Sequence, residues 1–278
     1  MAQIKKILFP VDFSDSCLGV ARYVKAFAGQ FEAEIMLVHA VGTGEDTVPR
    51  HSMAAGKAKL DVFFADELKC FTTQRVCVAG DPGSTIVGTA QSWEPDLIMM
   101  PTRGFGDFRR HLLGSVTAKV LHDLQCPAWT SIHAETALAL AEICCRRVLC
   151  AVDFTERSRC ILEWAAWLTG EFQAVLGIVH AMAAVDPSLG GWNPGTAYQQ
   201  YVSGRAQTEL GALQAQVGTA AHVFVKPGKP DAVVTCAAAE FKADLLVIGR
   251  RSSEAVAGDM FHDASAIVRE SPCPVISI

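Results

Sequence analysis

Hydrophobic residues come in short unbroken runs along this chain, and polar, periodic stretches separate them. Ile4–Pro10, Glu34–Val41, Gln74–Ala79, Asp96–Met100 and Ala128–Ile132 are such runs, rich in Ile, Leu and Val. Near-continuous apolar runs of this length predict strands buried on both faces, as in a parallel sheet. The intervening stretches read as helices. Ser14, Asp15 and Ser16 offer N-caps for a helix over Cys17–Ala28, and Gly29 is placed to stop it. Ser52–Cys70 and Ile86–Trp93 continue the series, and Ser115 stands where it would cap a last helix running to Leu124. Strands alternating with helices predict a doubly wound α/β sheet with helices on both sides.

The pattern then repeats. IKKILFPVDFSDSC near the start returns as CRRVLCAVDFTERSRC, and Asp12 and Asp153 stand 141 residues apart, as do His39 and His180 in LVHA and IVHA. GDPGSTIV resembles GKPDAVV and PDLIMMP resembles ADLLVIG, with Gly80 and Gly228, and Asp96 and Asp244, each separated by 148. CPAWTSI resembles CPVISI, with Cys126 and Cys273 separated by 147. Landmarks in one order at nearly constant offset mark a duplication. The expected organisation is two tandem doubly wound domains, 1–140 and 141–278, each a five-stranded parallel sheet of order 3-2-1-4-5. A length of 278 residues suits two such domains.

Composition narrows the partners. A net charge of −5 and a pI near 5.9, with isolated short basic pairs such as Arg109-Arg110, Arg146-Arg147 and Arg250-Arg251, give no clustered basic face for a nucleic acid. No run approaches the roughly 18 apolar residues that span a bilayer. The opening MAQIKKILFP lacks the apolar stretch of a secretory signal, so a cytoplasmic protein is expected. The ten cysteines form no CxxC pair and no zinc spacing. Several, namely Cys77, Cys150, Cys160 and Cys236, fall in apolar runs and read as buried small hydrophobes. Cys144-Cys145 are adjacent, which is poor geometry for a structural disulfide.

In a doubly wound sheet, ligands bind beyond the carboxyl ends of the strands at the switch point. Three stretches qualify. After strand four comes PTRGFGDFRRHLLGSVTAKVL, in which Gly104 permits close backbone approach and Gly114-Ser115 opens a helix. The free N–H groups and dipole of that helix suit a phosphate. Ser115 reads equally as an ordinary N-cap. After strand one comes Pro10-Val11-Asp12-Phe13-Ser14, where Asp12 reads as a ligand carboxylate or as a cap of the next helix. Gly80-Asp81-Pro82 and Gly228-Lys229-Pro230 read as turns that start a helix with Pro near N1.

These motifs resemble the universal stress protein family. Its ATP-binding members carry G-x-x-G-x(9)-G-[ST]. Here Gly104, nine residues and Gly114-Ser115 match, Val116 follows in the family manner, and Pro101 stands in place of the first glycine. The Pro10-Val11-Asp12-Phe13-Ser14 string is similar to the family's strand-one motif, whose aspartate bonds the adenosine part of the ligand. The position of Ala40 lines the adenine pocket in such proteins, and His39 reads as a packed strand-end residue. Arg103 and Arg109 lie near the phosphate loop. The resemblance implies ATP, with Mg²⁺ held mostly by the phosphates. It also implies a stress-response role and pairing as a homodimer or as an intrachain pseudo-dimer.

The second copy keeps Asp153, but Ser252 replaces a glycine beyond Gly249, and Phe261, His262 and Asp263 fall where Gly-Ser would stand. A carboxylate there repels phosphate, so this copy is not expected to bind ATP in the same way. Two alternatives remain open. An enzyme of this shape would show HIGH, SGGxDS, a Walker loop or a nucleophile elbow, and none occurs. An interaction scaffold without nucleotide draws support from Pro101, from the eroded second site, and from the Gly- and Pro-rich loop Val185–Tyr198 around Trp192.

Overall fold

The computed structural model describes residues 3–42, 53–103, 113–132, 143, 145–182, 196–250 and 260–278. It divides into unit 1, comprising residues 1–144, 252–255 and 274–278, and unit 2, comprising residues 145–251 and 256–273. No described helix is long and apolar enough to cross a membrane.

Unit 1 runs β1 (Lys6–Pro10), α1 (Asp15–Phe31), β2 (Glu34–Val41), α2 (Met53–Val62), α3 (Ala65–Leu68), β3 (Thr73–Ala79), α4 (Pro82–Trp93), β4 (Leu97–Pro101), α5 (Ser115–Asp123) and β5 (Ala128–Ser131). The strands lie parallel in the order β3-β2-β1-β4-β5, the expected 3-2-1-4-5. Alternate residues go to opposite faces. Leu8, Met36, Val38, Ile98, Met100 and Ala128 pack with Ile86 and Ala90 of α4 and Val120 and Leu121 of α5. On the other face Phe9 meets Phe63 beyond α2, and Trp129 stacks on Tyr23 of α1 at 4.7 Å. With both faces covered, the strands read as unbroken apolar runs rather than as alternation. Unit 1 also holds the last strand of the chain, β10 (Val275–Ser277), antiparallel to β5 with Ile276 opposite Trp129.

Unit 2 runs β6 (Arg147–Ala151), α6 (Ser158–Glu171), β7 (Val175–Met182), α7 (Thr196–Val217), β8 (His222–Pro227), α8 (Pro230–Phe241), β9 (Leu245–Ile248) and α9 (Met260–Glu270). Its parallel strands follow β8-β7-β6-β9, the same winding as 3-2-1-4. The turns into α4 and α8 match as well. Gly80 and Gly228 adopt φ of 151° and 147°, a region that favours glycine, and Pro82 and Pro230 open the helices.

Several local expectations are corrected. Gly29 does not stop α1. The helix runs on so that Phe27 and Phe31 are buried, and Glu32 closes it in the left-handed conformation with its N–H on Ala28 O. The single helix expected over Ser52–Cys70 is broken, because Phe64 turns left-handed at φ 51° while the Phe63 ring packs on Phe9 and Phe13. Helix α4 begins at Pro82, as the reading of Gly80-Asp81-Pro82 expected and four residues ahead of the periodic stretch from Ile86, with Asp81 capping it by accepting from Ser84 N at 2.8 Å. Cys160 and Cys236 are exposed on the outer faces of α6 and α8, whereas Cys17, Cys145, Cys150 and Cys273 are buried. Burial pushes the Cys150 thiol up to about 12.

A repeated carboxylate ties the start of the first strand in each copy to the approach to the fourth. Asp96 Oδ2 accepts from Lys5 N at 2.7 Å and Lys6 N at 2.9 Å. Asp244 Oδ2 accepts from Arg146 N at 2.8 Å and Arg147 N at 2.9 Å. These charge-assisted bonds make Asp96→Ala destabilising by about 1.5 kcal/mol. Urea unfolding of the full chain measures it, and a midpoint unchanged from wild type would contradict the role.

Candidate nucleotide cleft

Strand β1 hydrogen-bonds β2 on one side and β4 on the other, so the loops leaving β1 and β4 part at the sheet's carboxyl edge. There lies a cleft of about 360 Å³, within the range of small-molecule sites. Pro10, Val11, Asp12, Ala40, Pro101, Arg103, Gly114, Ser115 and Val116 line it together. These are nine of the ten residues named from the sequence. The tenth, Gly104, lies outside the described residues, as does Arg109.

The loop after β1 is tightly determined. Val11 N donates to Val38 O at 2.8 Å, which prolongs the sheet by one residue. Val11 O accepts from His39 Nδ1 at 2.7 Å. A carbonyl only accepts, so Nδ1 carries the proton. Phe13 is held left-handed at φ 65°, unusual for a bulky side chain, with its ring 4.5 Å from His39 and 5.5 Å from Phe63. This turn presents Asp12. Its Oδ1 accepts from Ser14 N at 3.0 Å and Ser14 Oγ at 2.6 Å, while Ser14 Oγ accepts from Cys17 N at 3.2 Å. The cap of α1 is therefore Ser14, and Asp12 stands one hydrogen bond removed from it. Burial and the neighbouring Asp12 carboxylate push the Cys17 thiol up to about 12.

Beyond β4, Thr102 O accepts from Gly114 N at 2.9 Å and Pro101 O accepts from Thr117 Oγ1 at 3.1 Å. These two bonds seat the start of α5 over the strand end. Gly114, not Ser115, is the N-cap, and no side chain caps the helix. The expected capping role of Ser115 is thus corrected: its exposed hydroxyl stands at the first helical position beside the cleft. The amides of Ser115, Val116 and Thr117 have no acceptor within the helix. A β-carbon on Gly114 would lie 3.1 Å from Thr102 O, so the close seating favours glycine. Pro101 ends β4, beyond the residues where β4 pairs with β1 (Ile7 with Leu97, Leu8 with Ile98), and a missing N–H costs little there.

Val38, Pro82, Ile86, Met100 and Thr117 also line the cleft. Val38, Ile86 and Met100 carry the apolar signal of core residues, and nothing in the residue pattern separates a core wall from a ligand wall. Chemically, the cleft joins an acceptor at Asp12, apolar walls, and a cationic and amide-donor end at Arg103 and α5. Among the described residues no cluster of three His, Cys, Asp or Glu side chains forms a metal site. A larger hollow of about 520 Å³ opens among Lys5, Glu32, Cys70 and Phe71 at the opposite edge of the sheet. It lies away from the switch point.

Unit 2 repeats the first loop. His180 Nδ1 donates to Val152 O at 2.9 Å, Phe154 is left-handed at φ 60°, and its ring lies 4.1 Å from His180. Asp153 Oδ1 accepts from Thr155 N at 3.0 Å, Thr155 Oγ1 at 2.7 Å and Ser158 Oγ at 2.9 Å. Ser252 and the side chains of Phe261, His262 and Asp263 lie outside the described residues, as does most of the loop Val185–Tyr198.

A doubly wound α/β unit, duplicated along one chain and carrying a switch-point cleft that ends on a helix N-terminus, defines the class of protein at hand. The universal stress protein family model matches residues 3–130 and again 145–278, and the chain belongs to that family as a tandem member. A universal stress protein of Methanocaldococcus jannaschii is 30% identical over 142 residues, covering 42% of this chain and 88% of that protein. A second from the same organism is 29% identical over 137 residues, covering 44% and 79%. The crystal structure of a universal stress protein from Archaeoglobus fulgidus superposes with a TM-score of 0.72 at 23% identity, covering 98% of this chain and 97% of that one, and so shares the fold.

The Asp153 carboxyl has a sign that can be tested. Partial burial raises its pKa, but the bonds from Thr155 and Ser158 outweigh that and hold it below the usual carboxylate value. A depressed folded value stabilises above the ordinary pKa of about 4 and is lost as pH falls through the folded value. The stability deficit of Asp153→Asn is therefore expected to be full at neutral pH and to shrink below about pH 4. Thermal unfolding across pH 3–7 reads it, and a deficit that grows in acid would contradict the assignment.

Proposed function

We propose that unit 1 binds an adenine nucleotide, ATP in the first instance, and that the chain acts as a nucleotide-responsive stress regulator rather than as an enzyme. The observation that carries this reading is the seating of α5. Gly114 is hydrogen-bonded to Thr102 O, which turns three amides without helical acceptors and the Ser115 hydroxyl toward the same cleft that Asp12 enters. A ribose diol needs an acceptor, which Asp12 supplies. A purine needs flat apolar walls, supplied by Val38, Ile86 and Met100 with Ala40 at the β2 end. Phosphates need N–H donors and positive potential, supplied by α5 and Arg103. The Gly114-Ser115-Val116 string is the part of the ATP-binding family motif that falls among the described residues. Mg²⁺ would be held chiefly by the phosphates, since Asp12 is the cleft's carboxylate and is engaged with Ser14.

Pro101, the departure that favoured a scaffold without nucleotide, ends its strand outside the β1 pairing and has its carbonyl bonded to Thr117. It therefore helps seat the helix rather than displace it.

Calorimetric titration of ATP·Mg²⁺ into nucleotide-stripped protein tests the reading. Saturable binding is expected, weakened about tenfold or more by Asp12→Ala. Ser115→Asp should abolish it while leaving the fold intact, because an acid suits the first turn of a helix but repels phosphate. Absence of binding by the wild type would overturn the proposal.

A further inference from the structure

Two buried hydroxyls stand behind the start of α5. Thr102, the first residue past β4, is 2% exposed, and Thr117, the third residue of α5, is 3% exposed. A hydroxyl enclosed this fully costs stability unless it is hydrogen-bonded, and valine would fill the same shape without that cost. Both hydroxyls are bonded, and both reach the end of a strand. Thr102 Oγ1 donates to Ser131 O at 3.2 Å, the carbonyl that also accepts from Thr102 N at 3.2 Å. Thr117 Oγ1 donates to Pro101 O at 3.1 Å.

Together these bonds close a circuit. Ser131 ends β5, Pro101 ends β4, and the two residues are partners in the register of those strands. Thr102 O accepts from Gly114 N at 2.9 Å, and Gly114 O accepts from Ala118 N at 2.8 Å in the first turn of α5. The bonds thus run from β5 through Thr102 to the N-cap of α5, and from Thr117 back to β4. Two anchors fix both the place and the direction of a helix end, whereas one would leave it free to swing. A hydroxyl has a single proton, so each of these is committed to a carbonyl and is not a donor to phosphate. The pair acts through the amides of Ser115, Val116 and Thr117.

The winding of the sheet does not demand the first of these hydroxyls. Thr102 stands six residues beyond Asp96, and Arg250 stands six beyond the matching Asp244. Unit 2 follows the same strand order with an arginine there.

We propose that Thr102 and Thr117 are positioning residues of the phosphate end of the cleft: their buried hydroxyls clamp the start of α5 to the ends of β5 and β4 and hold its three amides in place for a phosphate. The inference rests on the nucleotide reading of unit 1 for the ligand, and it assigns the rigidity of that site to two groups that do not touch the ligand.

The test compares the full-length wild type with Thr102→Val combined with Thr117→Val, and with Thr102→Ser combined with Thr117→Ser. Amide hydrogen exchange is followed by NMR without ligand, and ATP·Mg²⁺ is titrated by calorimetry. In the valine pair, exchange at Gly114 and Ala118 should quicken about tenfold and ATP should bind about tenfold more weakly. The β1 amides of Ile7 to Phe9 should keep their protection, and the serine pair should restore both properties. If the wild type binds ATP and the valine pair binds it equally well, the clamp is overturned and the nucleotide reading stands. If protection falls at β1 as much as at α5, the hydroxyls serve the fold at large and the clamp is overturned. If the wild type binds no ATP, the nucleotide reading falls. The clamp on α5 then stands if the valine pair quickens exchange at Gly114 and Ala118, and falls if it does not.

Discussion

Everything at the candidate site depends on the position of β1. It is hydrogen-bonded to β2 on one side and β4 on the other, with Ile7, Leu8 and Phe9 fully buried. A strand so enclosed cannot end in free space. Its carboxyl end must turn within reach of the end of β4, and the two loops part to leave a crevice. The fixed pairing of β1 with β4 thus places Asp12 and the start of α5 on the same cleft. Asp96 secures the other end of the same strand through the amides of Lys5 and Lys6.

The duplication separates what the fold requires from what the site requires. Both copies keep the left-handed Phe, the His-to-carbonyl bond, the carboxylate that grips the first strand, and the positive-φ glycine before the third helix. These features build the sheet edge whether or not a ligand is bound there. The residues beyond strand four differ: Thr102 O accepts from Gly114 N, and Arg250 O accepts from Arg157.

Much of this was legible in the residues. Unbroken apolar runs announced a parallel sheet because both faces are covered, and the repeat announced two units. The constellation Pro10-Val11-Asp12 with Gly114-Ser115-Val116 came from motif and came together in space. Other features were not legible. The extent of α1 was decided by burial of Phe27 and Phe31 over the local stop signal at Gly29, a case of tertiary packing overriding propensity. The break at Phe64 depends on where the Phe63 ring finds Phe9 and Phe13, contacts set by strands distant in sequence. The walls Ile86 and Met100 carry the same apolar signal as any core residue.

The central claim is that the seated N-terminus of α5 receives phosphate. Backbone amide NMR of the uniformly labelled chain, with and without ATP·Mg²⁺, tests it most directly. The account predicts that the largest shifts fall on the amides of Ser115, Val116 and Thr117, with a second group at Asp12 to Ser14, and that the Arg157–Ser158 amides stay in place. Shifts clustered in unit 2 or at the opposite edge of the sheet, with the α5 amides unmoved, would contradict it.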